Sequence, residues 1–586
     1  MDVDAERVRS EWRIERTEAV GRGGMVAAKT PQAAEVGAAV LRAGGNAVDA
    51  AVATAFVAGV AEPWMNGIGG GGYMIVQRPG EAAQVVEFPM VAPTGATPEM
   101  FPLAGSGADA ALFGWPAVVG GANVAGPRAV AVPGVVAGLA LAVERFGRRR
   151  LAELIEPAIR FARDGVPVTW HTTLTVARDL ATLRRFPATA AVFCPDGLPP
   201  VTTEQNAPAL LRQPDLARTL ELIALNGPRV FYDGPLAREM VAHLSAGGAP
   251  FTESDFAAYE ANVSPALTTD YAGYEIATTG GGSGGTTLVE GLNLLAALDA
   301  GALGHNTPAA LHRMAQAFRQ AFADRFAYLG DPRHVDVPLA TLTDAAYARE
   351  RAAASPANRL GPVRAGDPAR LGVSHGLGAS LPEYVAARPD QPEQMADGST
   401  THLSVIDDDG MAVSLTQTLL SLWGSRVLVP GTGVLLNNGM MWFDPEPGRP
   451  NSVAGGKRPL SNMAPLVVSR GGRPVAAVGS SGGRRIMNCH AQLVQNLLDH
   501  GLSMQPAVSA PRIDASTVDL LVSHRLPPET REALAALGHR VAVRDERLFT
   551  GDFASPAAVL LGEDGRCRGG VDPFYFPATA VGAEPA

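Results

Sequence analysis

The chain has 586 residues, 46% of them hydrophobic and 18% charged, which is enough apolar material for one large core or two fused cores. A formal net charge of −10 leaves no broad basic footprint, arguing against nucleic acid or an acidic membrane surface as the main partner and making a small molecule the default ligand. Three scattered cysteines, Cys194, Cys489 and Cys567, give neither a disulfide framework nor metal-ligand spacing.

Residues 1–22 mix acidic and basic side chains with no apolar stretch of a secretory signal, so a cytoplasmic location is expected. Thr30 followed by Pro31 reads as an N-cap and first helical position, and Gly44-Gly45 supplies a stop. Asn46 with Asp49 three residues on resembles a second capping box, so two packed helices precede Glu62-Pro63. The apolar run 50–61 has the length of a buried helix rather than a membrane span, and no transmembrane segment is expected. Residues 67–72 fit GxGxxG, but they follow a helix and lead into a strand-like stretch, 73–77. That order is the reverse of a dinucleotide site, which needs strand, glycines, helix.

Residues 151–351 read as mainly helical, with a strand at 274–278 before a second glycine cluster, Gly280 to Gly285. Residues 352–399 are rich in Pro, Ala, Gly and Asp with weak periodicity and read as a long, exposed, mobile connector. After it, 401–407 alternates like a strand, Asp408-Asp409-Gly410 reads as a three-residue turn, and 411–418 forms the return strand. If Asp407 faces Met411, Thr400 lies across from Thr418.

Two nucleophiles compete. Gly479-Ser480-Ser481-Gly482-Gly483 fits GxSxG, with a strand at 474–478, a helix at 484–500, and Asp519 with His524 or His539 in Ser, Asp, His order. The plainer reading is a tight strand-to-helix turn. Thr400 stands where the connector meets an ordered strand, a position that composition alone assigns to ordinary β-branched structure.

A run of ordered motifs decides between them. Gly24-Met25-Val26-Ala27-Ala28, Gly44-Gly45-Asn46-Ala47-Val48-Asp49-Ala50-Ala51 and Glu62-Pro63 to Gly72 open the series. Pro133-Gly134-Val135-Val136-Ala137-Gly138, Gly284-Gly285, and Ala323-Asp324-Arg325 with Tyr328-Leu329-Gly330-Asp331-Pro332 fill the middle. Thr400-Thr401-His402-Leu403-Ser404-Val405, Leu436-Asn437-Asn438, Lys457-Arg458-Pro459-Leu460-Ser461 and the 479–483 glycines close it. In this order they resemble the γ-glutamyltranspeptidase (glutathione hydrolase) family of N-terminal-nucleophile hydrolases.

That resemblance implies an α+β fold, the four-layer αββα sandwich, assembled from a large fragment 1–399 and a small fragment 400–586 of one precursor. It implies cleavage between Ser399 and Thr400, Thr400 as nucleophile with its freed α-amine as base, and Thr418 as the hydroxyl that hydrogen-bonds it. Gly482 and Gly483 match the glycines whose N–H groups bind the oxyanion. His402, a strand residue beside the nucleophile, reads as structural. Neither a metal nor an organic cofactor is implied; the partners are a small-molecule amide and water or an amine as acceptor. Ser461 and Asn462 fall at donor-binding positions. Others depart from the family pattern: Pro89 replaces a carboxylate-binding arginine, Gly439 and Trp442 replace a glutamine and an acidic residue, and Leu420 replaces an asparagine. With Met440, Met441 and Phe443, these changes suggest an apolar donor pocket favouring glutaryl or oxamate-like amides, or else ordinary core. Arg426, Arg458 or Arg484 remains to receive a donor carboxylate. The rival readings are a serine hydrolase using Ser481 and an unprocessed, non-catalytic family relative.

Overall fold

The computed structural model describes residues 14–108, 115–203, 207–373, 399–548 and 551–584. Two strands come first, β1 (Ala19–Gly21) and β2 (Gly24–Ala28). The Thr30 hydroxyl accepts from the Ala33 N–H and Pro31 occupies the first turn of α1 (Pro31–Arg42), as the cap signals predict. The Asn46–Asp49 capping box starts α2 (Ala47–Ala61), every residue of which is buried. The glycines then lead into β3 (Gly71–Gln77) and β4 (Gln84–Phe88), and α3 (Val135–Phe146) and α4 (Leu151–Asp164) follow. Helix, glycines, strand is thus the observed order, which excludes a dinucleotide turn.

After a helical stretch the chain forms β5 (Asn262–Pro265), β6 (Leu267–Tyr271) and β7 (Tyr274–Thr278), then α5 (Gly284–Ala297) and α6 (Pro308–Tyr328). The hairpin comprises β8 (Thr401–Asp407) and β9 (Ala412–Thr418). Beyond it lie β10 (Leu466–Arg470), β11 (Arg473–Ser481), α7 (Arg485–Leu498), β12 (Ser555–Leu561), β13 (Cys567–Val571) and β14 (Thr579–Gly582).

Two seven-stranded antiparallel sheets result, ordered β14-β2-β8-β9-β3-β4-β5 and β1-β13-β12-β11-β10-β7-β6. Side chains alternate across the hairpin. Leu403, Val405, Val413 and Leu415 pack outward in one apolar cluster with α1 to α4. His402, Ser404 and Ser414 point inward, where Ser404 Oγ donates to Ala557 O at 3.0 Å and Ser414 Oγ to Val478 O at 2.9 Å on the facing sheet. That second sheet shares its apolar cluster with α5, α6 and α7. The layering is helix, sheet, sheet, helix, the four-layer sandwich the resemblance implies. Both sheets combine strands from before and after residue 400.

Residues 352–373 are mostly exposed or half-buried, with Gly366 and Pro356 tied to α6: the Asp324 carboxylate accepts from the Gly366 N–H, Tyr328 donates to Gly366 O, and Gln316 donates to Pro356 O. Their backbone groups find partners on α6, which composition could not show. The remainder, 374–398, lies outside the described residues. All three cysteines are free and buried.

Candidate active site

The Gly410 φ of +81° and the Gly410 N–H to Asp407 O bond close the hairpin turn, and the register follows: Thr401 faces Gln417 and His402 faces Thr416. One step further, Thr400 reaches Thr418, with the two Oγ atoms 3.3 Å apart. Both hydroxyls converge on the carbonyl oxygen of Ser399, each at 2.5 Å. Thr418 Oγ also accepts from the Leu420 N–H at 2.7 Å, and the Leu420 carbonyl accepts from the Ser399 N–H at 3.2 Å. Leu420 makes both bonds from a left-handed backbone, φ +91°, which a leucine rarely adopts. Ser399 Oγ donates to the carbonyls of Trp64 and Met65 at 2.9 and 3.1 Å. The Ser399–Thr400 peptide is therefore held from both sides, and both residues are buried.

The glycine turn lies at the same end of the facing sheet. A Cβ on Gly479 would strike the His402 ring, and Ser414 contacts Val478, so descending β8 toward Thr400 corresponds to ascending β11 toward Ser481 and Gly482. Gly482 and Gly483 have φ of +140° and +61°, and a Cβ on Gly482 would lie 2.6 Å from Ala554 Cα, so only glycine fits there. Among the described residues, nothing accepts from the N–H of either glycine. A cavity beside the turn is lined by Trp64, Met65, Leu422, Ser481, Gly482 and Tyr575, the first two being the residues that hold Ser399.

The GxSxG elements form as strand, turn and helix, but no triad assembles around Ser481. His524 Nδ1 accepts from the Glu546 N–H, His539 meets His312 at 2.7 Å, and Asp519 pairs with Arg540. The serine with a histidine is Ser480, whose Oγ is 2.9 Å from His490 Nε2, and both are fully buried. His402 lies between Thr416 and Ser404 at 2.8 and 2.9 Å, and burial pushes its pKa well below the usual imidazole range.

The positions expected to meet the donor are packed. Pro89 is buried and its carbonyl accepts from Tyr259 at 2.7 Å. A Cβ on Gly439 would lie 2.8 Å from Ala131 Cβ, so a longer side chain has no room. Trp442 is buried, and its carbonyl accepts from Trp115 at 3.2 Å and Asn451 at 2.7 Å. Met440, Met441 and Phe443 join Trp442 and Leu420 in the large apolar cluster, so this run is core. Arg458 pairs with Glu87 at 2.8 Å and Arg426 lies 3.8 Å from Asp179, which commits two of the three candidate arginines; Arg484 directly follows the glycine turn.

Sequence reasoning missed several residues. Arg325, fully buried, donates to the carbonyl of Ser461 at 2.6 Å and to Asn462 Oδ1 at 3.1 Å, and burial lowers its pKa to about 9. Its signal in the sequence is the Ala323-Asp324-Arg325 motif. Lys29, Glu62 and Tyr575 were also missed; Glu62 caps the end of a uniformly buried helix, where any carboxylate must be paired. Among the described residues no helix is long and apolar enough to cross a membrane, and no cluster of three or more His, Cys, Asp or Glu could hold a metal.

A family model for gamma-glutamyltranspeptidase matches residues 33–573. The Acylase ACY 1 proenzyme of Pseudomonas sp. (strain V22) is 37% identical over 548 residues, 92% of this chain and 91% of that protein. The glutathione hydrolase proenzyme of Escherichia coli (strain K12) is 33% identical over 568 residues, 94% of this chain and 90% of that protein. Among solved structures, cephalosporin acylase from Bacillus halodurans superposes with a TM-score of 0.82 at 26% identity, covering 99% of both chains. Motif order, layered fold and these similarities agree: the chain is an enzyme of the gamma-glutamyltranspeptidase family.

Proposed function

We propose that this enzyme cuts itself before Thr400 and then uses Thr400 as an N-terminal nucleophile on a small-molecule acyl amide. The reading is carried by the convergence of two hydroxyls on one carbonyl, Thr400 Oγ and Thr418 Oγ each 2.5 Å from Ser399 O. Because the Leu420 N–H already donates to Thr418 Oγ, the Thr418 proton is directed at that carbonyl and polarises it. Thr400 Oγ attacks the Ser399 carbonyl carbon, the Thr400 nitrogen leaves as an amine, and water hydrolyses the ester. A carboxylate on 1–399 and an α-amine on 400–586 are the products.

In turnover the α-amine, with a reference pKa of ~7.7–8.0, takes the Oγ proton as Thr400 attacks the donor amide and returns it to the departing amine. The N–H groups of Gly482 and Gly483 receive the tetrahedral oxyanion. The acyl-Thr400 ester then passes to water or an amine. The packed Gly439 and Pro89 positions and the committed Arg458 favour a donor without an α-amino group, a glutaryl or oxamate-like amide. That relatives of similar identity are named both acylase and glutathione hydrolase supports a family in which donors diverge.

Mass spectrometry of the purified chain tests the self-cleavage. Wild type is expected as fragments 1–399 and 400–586, and Thr400→Ala as one uncut, inactive chain. A Thr400→Ala chain that still divides before residue 400 would overturn the reading.

A further inference from the structure

Behind the candidate site lies a buried charge pair that the mechanism above does not use. Glu62, at the end of α2, accepts from the hydroxyl of Thr401, the residue after the proposed nucleophile, and from Tyr575 at 3.1 Å. Lys29, just past β2, donates to the carbonyl oxygen of Ser555 at 2.5 Å and to its hydroxyl, and its ammonium lies 4.7 Å above the Tyr575 ring. Ser555 pairs across the sheet with Ser481, and Ala554 backs Gly482. Tyr575 therefore bridges the two charges, one attached to the nucleophile strand and the other to the glycine-turn strand. Both charges are almost wholly removed from solvent, so each holds its partners in a low-dielectric setting.

We propose that Glu62 and Lys29 are positioning residues: the carboxylate fixes the start of β8 through Thr401, and the ammonium fixes the strand beside the glycine turn through Ser555. Nucleophile and anion-binding turn are thereby referenced to one buried pair rather than to separate scaffolds. The inference rests on the Thr400 reading. Burial pushes the Glu62 carboxyl up, against the pull of Thr401, Lys29 and Tyr575, and pushes the Lys29 ammonium down, against the pull of Asp572 and Glu62. The other groups facing the pair are Cys489, Arg512 and His402 around Lys29, and Arg178 beside Tyr575. Glu62, bonded to Thr401, is a carboxylate one residue from the Thr400 α-amine, so its removal takes away a charge that favours the α-ammonium.

The experiment compares processed wild type with Glu62→Gln, Glu62→Ala, Lys29→Met and Thr401→Val, reading fragment masses, kcat, KM and the pH profile of kcat/KM. Glu62→Ala and Lys29→Met are expected to lower kcat at least ~tenfold with KM little changed, the signature of lost transition-state geometry. Glu62→Gln, which still accepts from Thr401, should recover most of kcat while its acid limb moves down by about half a pH unit, because a nearby carboxylate no longer favours the α-ammonium. Thr401→Val keeps both charges and covers the case of Glu62→Ala failing to fold: it should lose kcat with no shift of the limb. An uncut, inactive wild type would overturn the threonine reading and this inference with it. A processed, active wild type whose variants keep its kcat and its acid limb, or raise KM alone, overturns this inference only.

Discussion

The hairpin β8–β9 and the segment 436–462, which meet where the Asn438 N–H donates to Leu419 O, have opposite characters. The hairpin end keeps a dense set of hydroxyls and carbonyls, Ser399, Thr400, Thr401 and Thr418, each with a polar partner. The segment that would frame the donor turns apolar: Met440, Met441, Trp442 and Phe443 are all buried in the main cluster. On the proposed reading, bond-making and acyl-group selection belong to separate elements, so the second could change while the first is kept.

If chemistry resides in the hairpin and glycine turn, damage there should cost the most. Gly482→Ala must move Ala554 or abandon a φ of +140°, which displaces the N–H proposed to bind the oxyanion. Loss of one such donor lowers kcat by about 10²–10³-fold, and that is the expected outcome with KM little changed. A variant with wild-type kcat would remove Gly482 from the oxyanion assignment.

Selection is the next largest effect. A donor α-ammonium buried without a carboxylate partner costs on the order of 3–5 kcal/mol. At ~1.4 kcal/mol per factor of ten, kcat/KM for γ-glutamyl-anilide should fall at least ~100-fold below that for glutaryl-anilide on processed enzyme. A γ-glutamyl value of ~10⁴ M⁻¹s⁻¹ or more would mean that the frame still grips the amino acid, erasing the contrast between the two regions.

A smaller effect separates the roles within the hairpin. Thr418→Val keeps the shape and removes the proton directed at Ser399 O, so self-cleavage should slow by roughly ten- to a hundredfold, the scale of one hydrogen bond to a developing charge. Thr418→Ser should restore most of the rate in a time course of fragment release. Equal rates for all three would show that Thr418 only packs.

The hairpin was legible because its register follows from local turn chemistry: Asp408-Asp409-Gly410 fixes the pairing that sets Thr400 opposite Thr418. The caps at Thr30 and Asn46 were legible for the same reason, each motif lying within four residues. Leu420 was not: its positive φ accompanies a local bond to the Thr418 hydroxyl and a bond to the Ser399 N–H, which no sequence pattern announces. The Glu62, Thr401 and Tyr575 contacts span 339 and 513 residues of sequence, beyond any periodicity. Whether 440–443 was pocket or core stayed open in the sequence because both readings want the same side chains, and only packing separates them.

The smallest expected effect is at Ser481, where the sequence offered a complete alternative catalyst. The strand and helix of an elbow form around it, but its supposed partners are engaged elsewhere: His539 with His312, His524 with the Glu546 N–H, Asp519 with Arg540. The nearby serine that does meet a histidine, Ser480, has no exposure to solvent, so no substrate can approach it. Ser481 instead pairs across the sheet with Ser555 through its backbone, a contact that any residue can make. Ser481→Ala should therefore leave kcat within about twofold of wild type, the scatter of a substitution that removes no buried network. A fluorophosphonate should leave Ser481 unlabelled in the same preparation. A Ser481→Ala variant as inactive as Thr400→Ala, together with fluorophosphonate labelling at Ser481 in wild type, would transfer the chemistry from the hairpin to the elbow.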